Sequence, residues 1–349
     1  MKQTELKQTT ASITAWYAQH KRDLPWRKGR DPYRIWISEI MLQQTRIEAV
    51  IPYYERFLKE LPDVKALSEV PDDRLMKLWE GLGYYSRARN LKKAAQTVME
   101  QYGGEMPRTA EALRKLPDIG DYTAGSIASI AFGEPEPAVD GNVMRVMMRL
   151  LASKDDIMEQ KNRRAVTQML RDVYPCGEDA ALLTEGLMEL GERICIPNGV
   201  PLCGACPAAD SCRAHAQGKE QDYPVRSAKK ERRIEEKTVL LLRCSGRYAL
   251  QKRPAKGLLA GLWGFPMAKG HLTEDEVREQ TAAWEPLSFT PLGKSKHIFT
   301  HIEWHMTGYL VECQKITSDF FWFTNKEIDD QYSIPTAFKY YKQFIKAEG

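Results

Sequence analysis

Two carboxylates in unlike surroundings are the residues of this chain best placed to do chemistry. Glu39 lies in IWISEIMLQQT, and residues 35–45 hold no other charged side chain. On a helix its neighbours are Ile35, Trp36, Leu42 and Gln43. A lone helical glutamate ordinarily faces water. Apolar company instead raises a carboxyl's pKa and lets it hold a proton near neutral pH. Asp140 follows a proline-rich break, EPEP at 134–137, and precedes Gly-Asn and the helical pattern Val143, Val146, Met147, Leu150. An aspartate at a helix entrance caps free N–H groups and stays ionised, and capping alone would account for it. Taken with Glu39 it completes a protonated acid and an anion, the logic of glycosidic cleavage through an oxocarbenium-like state.

A second constellation is built from sulfur. Of seven cysteines, Cys195, Cys203, Cys206 and Cys212 cluster as C-x7-C-x2-C-x5-C, while Cys176, Cys244 and Cys313 stand alone. Zinc ribbons usually show two C-x2-C knuckles, and here there is one. An iron–sulfur cube has looser spacing rules and fits at least as well. The odd total, without an apolar leader segment, argues against a disulfide framework.

Elements must bring these groups together. Up to about residue 212 apolar positions recur at three and four, as in Ile35, Trp36, Ile40, Met41 and Leu75, Leu78, Trp79, Leu82, so this region is expected to be helical. Prolines at 52, 62, 71, 107 and 117 punctuate short helices. Within LPDIGDYTAG, at 116–125, Gly120 is expected to supply a sharp turn that exposes amides at a helix start. Such a turn suits an anion, above all a nucleic-acid phosphate. Residues 213–234 are charged and poor in core formers and read as a linker. Strand-like runs follow at 239–243, 248–252, 304–311 and 320–323, with a helix expected over 273–283 and another over 335–346. The expected division is 1–212, a linker 213–234, and an α+β domain 235–349.

The net charge of +4 permits a basic groove without requiring one. No apolar run approaches 18 residues, which excludes a spanning helix, and no secretory signal is visible. A cytoplasmic protein is expected.

The stretch LPDIGDYTA followed by Asp140 resembles the helix-hairpin-helix DNA glycosylases, with Asp118 where that family has glycine. Aspartate tolerates left-handed backbone, so the turn is expected to survive, with one phosphate contact weakened. WISEIMLQQT, LPWR at 24–27 and GLGYYSRARNL at 81–91 narrow the resemblance to adenine DNA glycosylases of MutY type. That resemblance implies a mainly α catalytic region, a six-helix barrel module plus an iron–sulfur module, followed by an α+β Nudix-like domain. It makes Glu39 the acid that protonates the flipped adenine and Asp140 the stabiliser of the cationic sugar. It sets Tyr122 beside the sugar, Asn142 in support of Asp140, and Glu185 near the base. It further implies an adenine pocket formed by Glu39, Trp26 and Arg22, and substrate or DNA contact at Arg27, Leu42 and Gly120. Gln44, Thr45, Leu82 and Tyr84 would hold the opposite base and wedge the duplex. Tyr122 stands where lyase-type relatives carry lysine; a phenol cannot form a Schiff base, so a monofunctional enzyme is expected. The cysteine quartet would hold one [4Fe–4S] cluster.

GLLAGLWGFP, at 257–266, resembles the Nudix fold, but HLTEDEVREQTAAW lacks that family's paired glutamates, which diphosphate hydrolysis needs to hold magnesium. Phe299, Thr300 and His301 resemble the family's loop that reads 8-oxoguanine, with threonine for serine and the hydroxyl retained. The implied partner is double-stranded DNA with adenine opposite 8-oxoguanine or guanine, bound by a monomer. A thymine or pyrimidine glycosylase would lack the second domain, a damage-binding protein would not need both carboxylates, and a Nudix hydrolase would need the missing glutamates.

Overall fold

Short helices, each begun by a local signal, make up the first two thirds of the chain. A computed structural model describes residues 1–228 and 231–345. Asp31 accepts from the Arg34 amide at 3.1 Å with Pro32 in the first turn, and so opens the helix Pro32–Leu42 that carries Glu39. Asp140 caps Gly141–Leu151 by accepting from the Val143 amide at 2.8 Å. Between them runs the hairpin helix Asp121–Phe132, which stops at Gly133 with φ +71°. The core of this unit joins Ile13, Val143, Met144, Met147, Leu183, Leu187 and Leu190, from helices Gln3–His20, Gly141–Leu151 and Glu178–Arg193.

Two glycines let these helices approach. A Cβ on Gly125 would stand 2.5 Å from the Pro137 carbonyl oxygen. The hairpin helix can therefore lie directly on the segment that leads into Asp140. A Cβ on Gly191 would stand 2.7 Å from the Asn142 Cβ, which seats Glu178–Arg193 against the cap of the aspartate helix. Larger residues at either point would push the carboxylates' supports apart.

The chain divides into two compact units, Met1–Glu69 with Arg89–Ala228, and Val70–Ala88 with the described residues after 230. Of the expected linker, Lys229 and Lys230 lie outside the described residues. Its first part is not free chain: Arg213–Ala216 is helical, Tyr223 is buried, and Arg149 donates to the carbonyls of Glu220 and Tyr223 at 2.9 and 3.1 Å. Its last two residues, Arg233 and Ile234, begin a strand. Segment 70–88 joins the second unit through polar contacts. Trp263 Nε1 and Lys252 donate to Asp73, and the Ile334 amide donates to Glu80 at 2.9 Å.

The second unit is a mixed sheet of β1 (Arg233–Cys244), β2 (Arg247–Lys252), β3 (Trp263–Gly264), β4 (Met267–Lys269), β5 (Pro286–Ile298), β6 (Ile302–Cys313) and β7 (Phe321–Phe323). The order is β3-β2-β1-β6-β5, with β4 also on β1 and β7 on β2; β1 and β6 are parallel, and the other pairs antiparallel. Alternation along β1 sends Val239 and Leu241 to one apolar layer and Leu240 and Leu242 to another, so both faces are covered. The expected runs fall in β1, β2, β6 and β7, with Phe320 just outside β7. Strand β5 was not expected. PLSFTPLGKSKHI has Pro, Gly and lysines, is mostly exposed, and is held by the ladder to β6. The expected helix 273–283 is Glu274–Thr281, opened by a Thr273–Glu276 capping box, with a 3-10 turn after it. Over 335–346 there is a 3-10 turn and the short helix Lys339–Lys342, with Lys346 outside the described residues.

Candidate active site

Glu39 is 6 % exposed, and the Tyr122 hydroxyl donates to its Oε2 at 2.7 Å. Burial pushes its carboxyl up to about 7, against the Tyr122 hydrogen bond and helped by the charges of Asp140 and Glu185. The glutamate can thus hold a proton near neutral pH. Burial, with Glu39 and Asp140 nearby, holds the Tyr122 phenol well above its ordinary range, so it remains a donor. Burial also raises Asp140, while the amides of Val143 and Asn142 and the guanidinium groups of Arg145 and Arg163 favour its anion. Asp140 is therefore both the helix cap and a member of the site.

Glu39, Tyr122, Asp140 and Asn142 line a cavity of about 240 Å³ whose wall includes Trp26, Arg27, Leu42, Thr45 and Glu185. The same four residues border a groove of about 1190 Å³, shared with Gln44, the hairpin at Asp118 and Gly120, and the helix Gln160–Arg171. Both carboxylates and most of the expected pocket residues are thereby brought together. Arg22 is held elsewhere: its guanidinium pairs with Glu189 and Glu192, each at 2.6 Å, and it does not line the cavity. Arg27 shares Glu189 at 2.8 Å, which locks this cavity residue in place.

The hairpin turn differs from the expectation in which residue makes it. Gly120 is extended, at φ −85° and ψ −177°, a conformation open to any residue, and a Cβ there would meet nothing within 4 Å. The left-handed residue is Asp118, at φ +62°. Gly120 is the cap position of the hairpin helix; the reversal belongs to the aspartate, whose carboxylate borders the groove.

Several contributors were not visible in the sequence. Arg145, 4 % exposed, donates to Asn142 Oδ1 at 2.9 Å and to the carbonyls of Gly191 and Cys195. The one available signal was two arginines, 145 and 149, in an otherwise apolar helix. Met188 Sδ lies 3.9 Å from the Tyr122 hydroxyl, and Glu189 is fully buried among arginines; neither stands out by type.

Leu82 and Tyr84 belong to the second unit. Leu82 is buried between Gly81 and Gly83, both with positive φ, and Tyr84, which follows them, is 50 % exposed at φ +48°. Arg87 braces this loop by donating to the carbonyls of Leu82 and Gly83. Thr300 and His301 form the exposed tip between β5 and β6, closed by the Phe299 amide donating to the Ile302 carbonyl at 2.8 Å. Phe299 packs its ring edge-on to Trp304 beneath the tip.

All four clustered cysteines line one cavity walled by Val146, Leu150, Leu190 and Ala208. Thiolates around one zinc ion would lie about 3.8 Å apart. Among the described residues no three of these sulfurs come within 4.8 Å of one another. Four thiols around one apolar cavity have the donor chemistry of an iron–sulfur or other soft-metal centre. Cys203 also has His215 and Glu220 close by.

Comparison with known proteins places this geometry. Residues 37–172 match the family described as HhH-GPD superfamily base excision DNA repair protein, and residues 238–343 match the NUDIX domain. The chain is 34 % identical over 355 residues to the adenine DNA glycosylase of Rattus norvegicus, covering 84 % of this chain and 68 % of that protein. It therefore spans about two thirds of the length of that relative. It is 31 % identical to the adenine DNA glycosylase of Buchnera aphidicola (strain APS), covering 90 % and 89 %. Among solved structures, a thermostable thymine-DNA glycosylase aligns with TM-score 0.55 and 29 % identity, over 61 % of this chain and 98 % of that one. With both carboxylates, the hairpin and the second domain in place, the chain belongs to the adenine DNA glycosylase family.

Proposed function

We propose that this protein removes adenine paired with 8-oxoguanine or guanine in double-stranded DNA by hydrolysing the N-glycosidic bond. The observation that carries the reading is a buried glutamate poised to titrate at about 7, hydrogen-bonded to Tyr122 in the cavity that Asp140 also lines. An extruded adenine enters this cavity, and Glu39 gives its proton to N7. The C1′–N9 bond breaks, its electron pair leaves with the base, and cationic charge develops on the sugar. Asp140, raised by burial but with its anion favoured by amides and two arginines, stabilises that charge, and water supplies the hydroxyl at C1′. Asn142, fixed by Arg145, and Glu185 keep the pocket in register.

Tyr122 offers no amine, so the reaction stops at base removal. Borohydride trapping should give no efficient covalent adduct. In this reading Gln44, Thr45, Leu82 and Tyr84 face the opposite base, and Thr300 reads 8-oxoguanine. Cys195, Cys203, Cys206 and Cys212 would hold a [4Fe–4S] cluster, which when bound fixes the loop rather than acting on the base. No helix among the described residues is long and apolar enough to cross a membrane.

The deciding measurement is alkali-induced strand cleavage on duplexes carrying adenine opposite 8-oxoguanine, guanine or thymine. Release is expected from the first two. Intact adenine opposite 8-oxoguanine would sink the proposal.

A further inference from the structure

We infer that the second unit carries a phosphate-binding pocket, separate from the adenine cavity and from the lesion-reading loop. A hollow of about 490 Å³ lies where β1, β2 and β4 meet, and Lys237, Lys252, Arg253 and Lys269 line it together with Gln251 and Met267. It has four cationic side chains and no carboxylate in its wall.

The strand register adds to this. Lys237 on β1 stands directly opposite Lys269 on β4. Like charges directly opposite one another weaken a sheet. Lys237 has a partial answer in Glu235 at 3.3 Å, and Lys252 has one in Asp73, also at 3.3 Å. Lys269 and Arg253 have no carboxylate partner among the described residues. Arg253 is half-buried, donates to the Leu258 carbonyl at 3.1 Å and stacks over Trp304 at 5.3 Å. A fixed guanidinium held without a counter-ion beside two facing ammonium groups is unfavourable in the empty pocket and favourable once an anion enters.

The pocket suits a phosphate held by direct ion pairs. Metal-assisted phosphate binding would need carboxylates to hold the metal, and the wall has none. The phosphate could come from the backbone of bound DNA or from a free nucleotide, since ammonium and guanidinium donors meet the same oxygens in both.

The test uses the full-length protein and two variants, Arg253→Gln and Lys269→Gln. Calorimetric titration with inorganic pyrophosphate is one arm. Duplex binding by anisotropy across a salt series is the other. If the phosphate is that of DNA, each variant lowers the slope of log K against log salt by about 0.9 and pyrophosphate binds weakly or not at all. If it is that of a free nucleotide, pyrophosphate binds saturably, both variants weaken it at least about tenfold, and the salt slope stays. No pyrophosphate binding together with unchanged slopes in both variants overturns the inference. Lys269 is exposed on a short strand, so its variant keeps the test valid even where Arg253→Gln disturbs the packing on Trp304. Neither readout depends on adenine release, so this result stands apart from the proposed reaction.

Discussion

Replacing Glu39 by glutamine should make the protein more stable and inactive at once. The carboxyl is buried, and its pKa is moved from 4.5 to about 7, chiefly by burial. A folded-state pKa above the unfolded one means that the native state keeps a proton which the unfolded chain has released. Stability therefore falls as pH rises from about 4.5 to about 7, then levels off. That gap corresponds to about 3 kcal/mol, fully expressed above pH 8. Glutamine has the same shape and can still accept from the Tyr122 hydroxyl, but it never ionises. Glu39→Gln should be about 3 kcal/mol more stable than the parent at pH 8.5 and equal to it near pH 4.5. It has no proton to give, and loss of a general acid costs about 10²- to 10⁴-fold. The assay pairs urea unfolding across pH 4.5–8.5 with single-turnover adenine release from a duplex carrying adenine opposite 8-oxoguanine. In the parent, release should decline above pH 7 as Glu39 deprotonates. Equal stability of the two proteins at pH 8.5, or normal release by the variant, would refute the reasoning.

Three further outcomes follow from the same geometry. Asp140→Asn keeps a good cap for the Val143 amide and removes the charge, so the protein should fold with unchanged circular dichroism and lose adenine release; a large drop in melting temperature would contradict this. Gly191→Ala puts a methyl 2.7 Å from the Asn142 Cβ and should cost about 1–3 kcal/mol in unfolding experiments, with slower release even where the protein is folded. Asp118→Gly relieves a left-handed aspartate and removes a carboxylate from the groove. Glycine's greater unfolded-state freedom offsets the relief, so stability should move by no more than about 1 kcal/mol while duplex affinity at low salt rises; weaker binding would count against a DNA-facing hairpin.

Much of the site was legible because its signals are local. Glu39 was conspicuous as the only charge between residues 35 and 45, and Asp140 as a cap after a proline break. The cysteine quartet stood out by spacing alone. The turn was legible in place but not in detail. Gly120 looked like the residue that reverses the chain, yet Asp118 takes the left-handed conformation, since either type tolerates it and only the path of the backbone chooses. Strand β5 escaped for a related reason: its hydrogen bonds come from β6, not from any pattern within itself.

By itself the sequence determined the kinds of chemistry available, an acid, an anion and a thiolate cluster, because residue type and near-neighbour spacing carry that information. The tertiary structure decided which groups meet. Contact between residues 39, 122, 140 and 185 depends on how closely helices approach, and that is set by Gly125 and Gly191, where a single methyl would not fit. It also sent Arg22 to Glu189 and away from the cavity, and it faced Lys237 with Lys269. Ion pairs and strand registers between residues far apart in the chain are fixed by packing, and no local pattern encodes them.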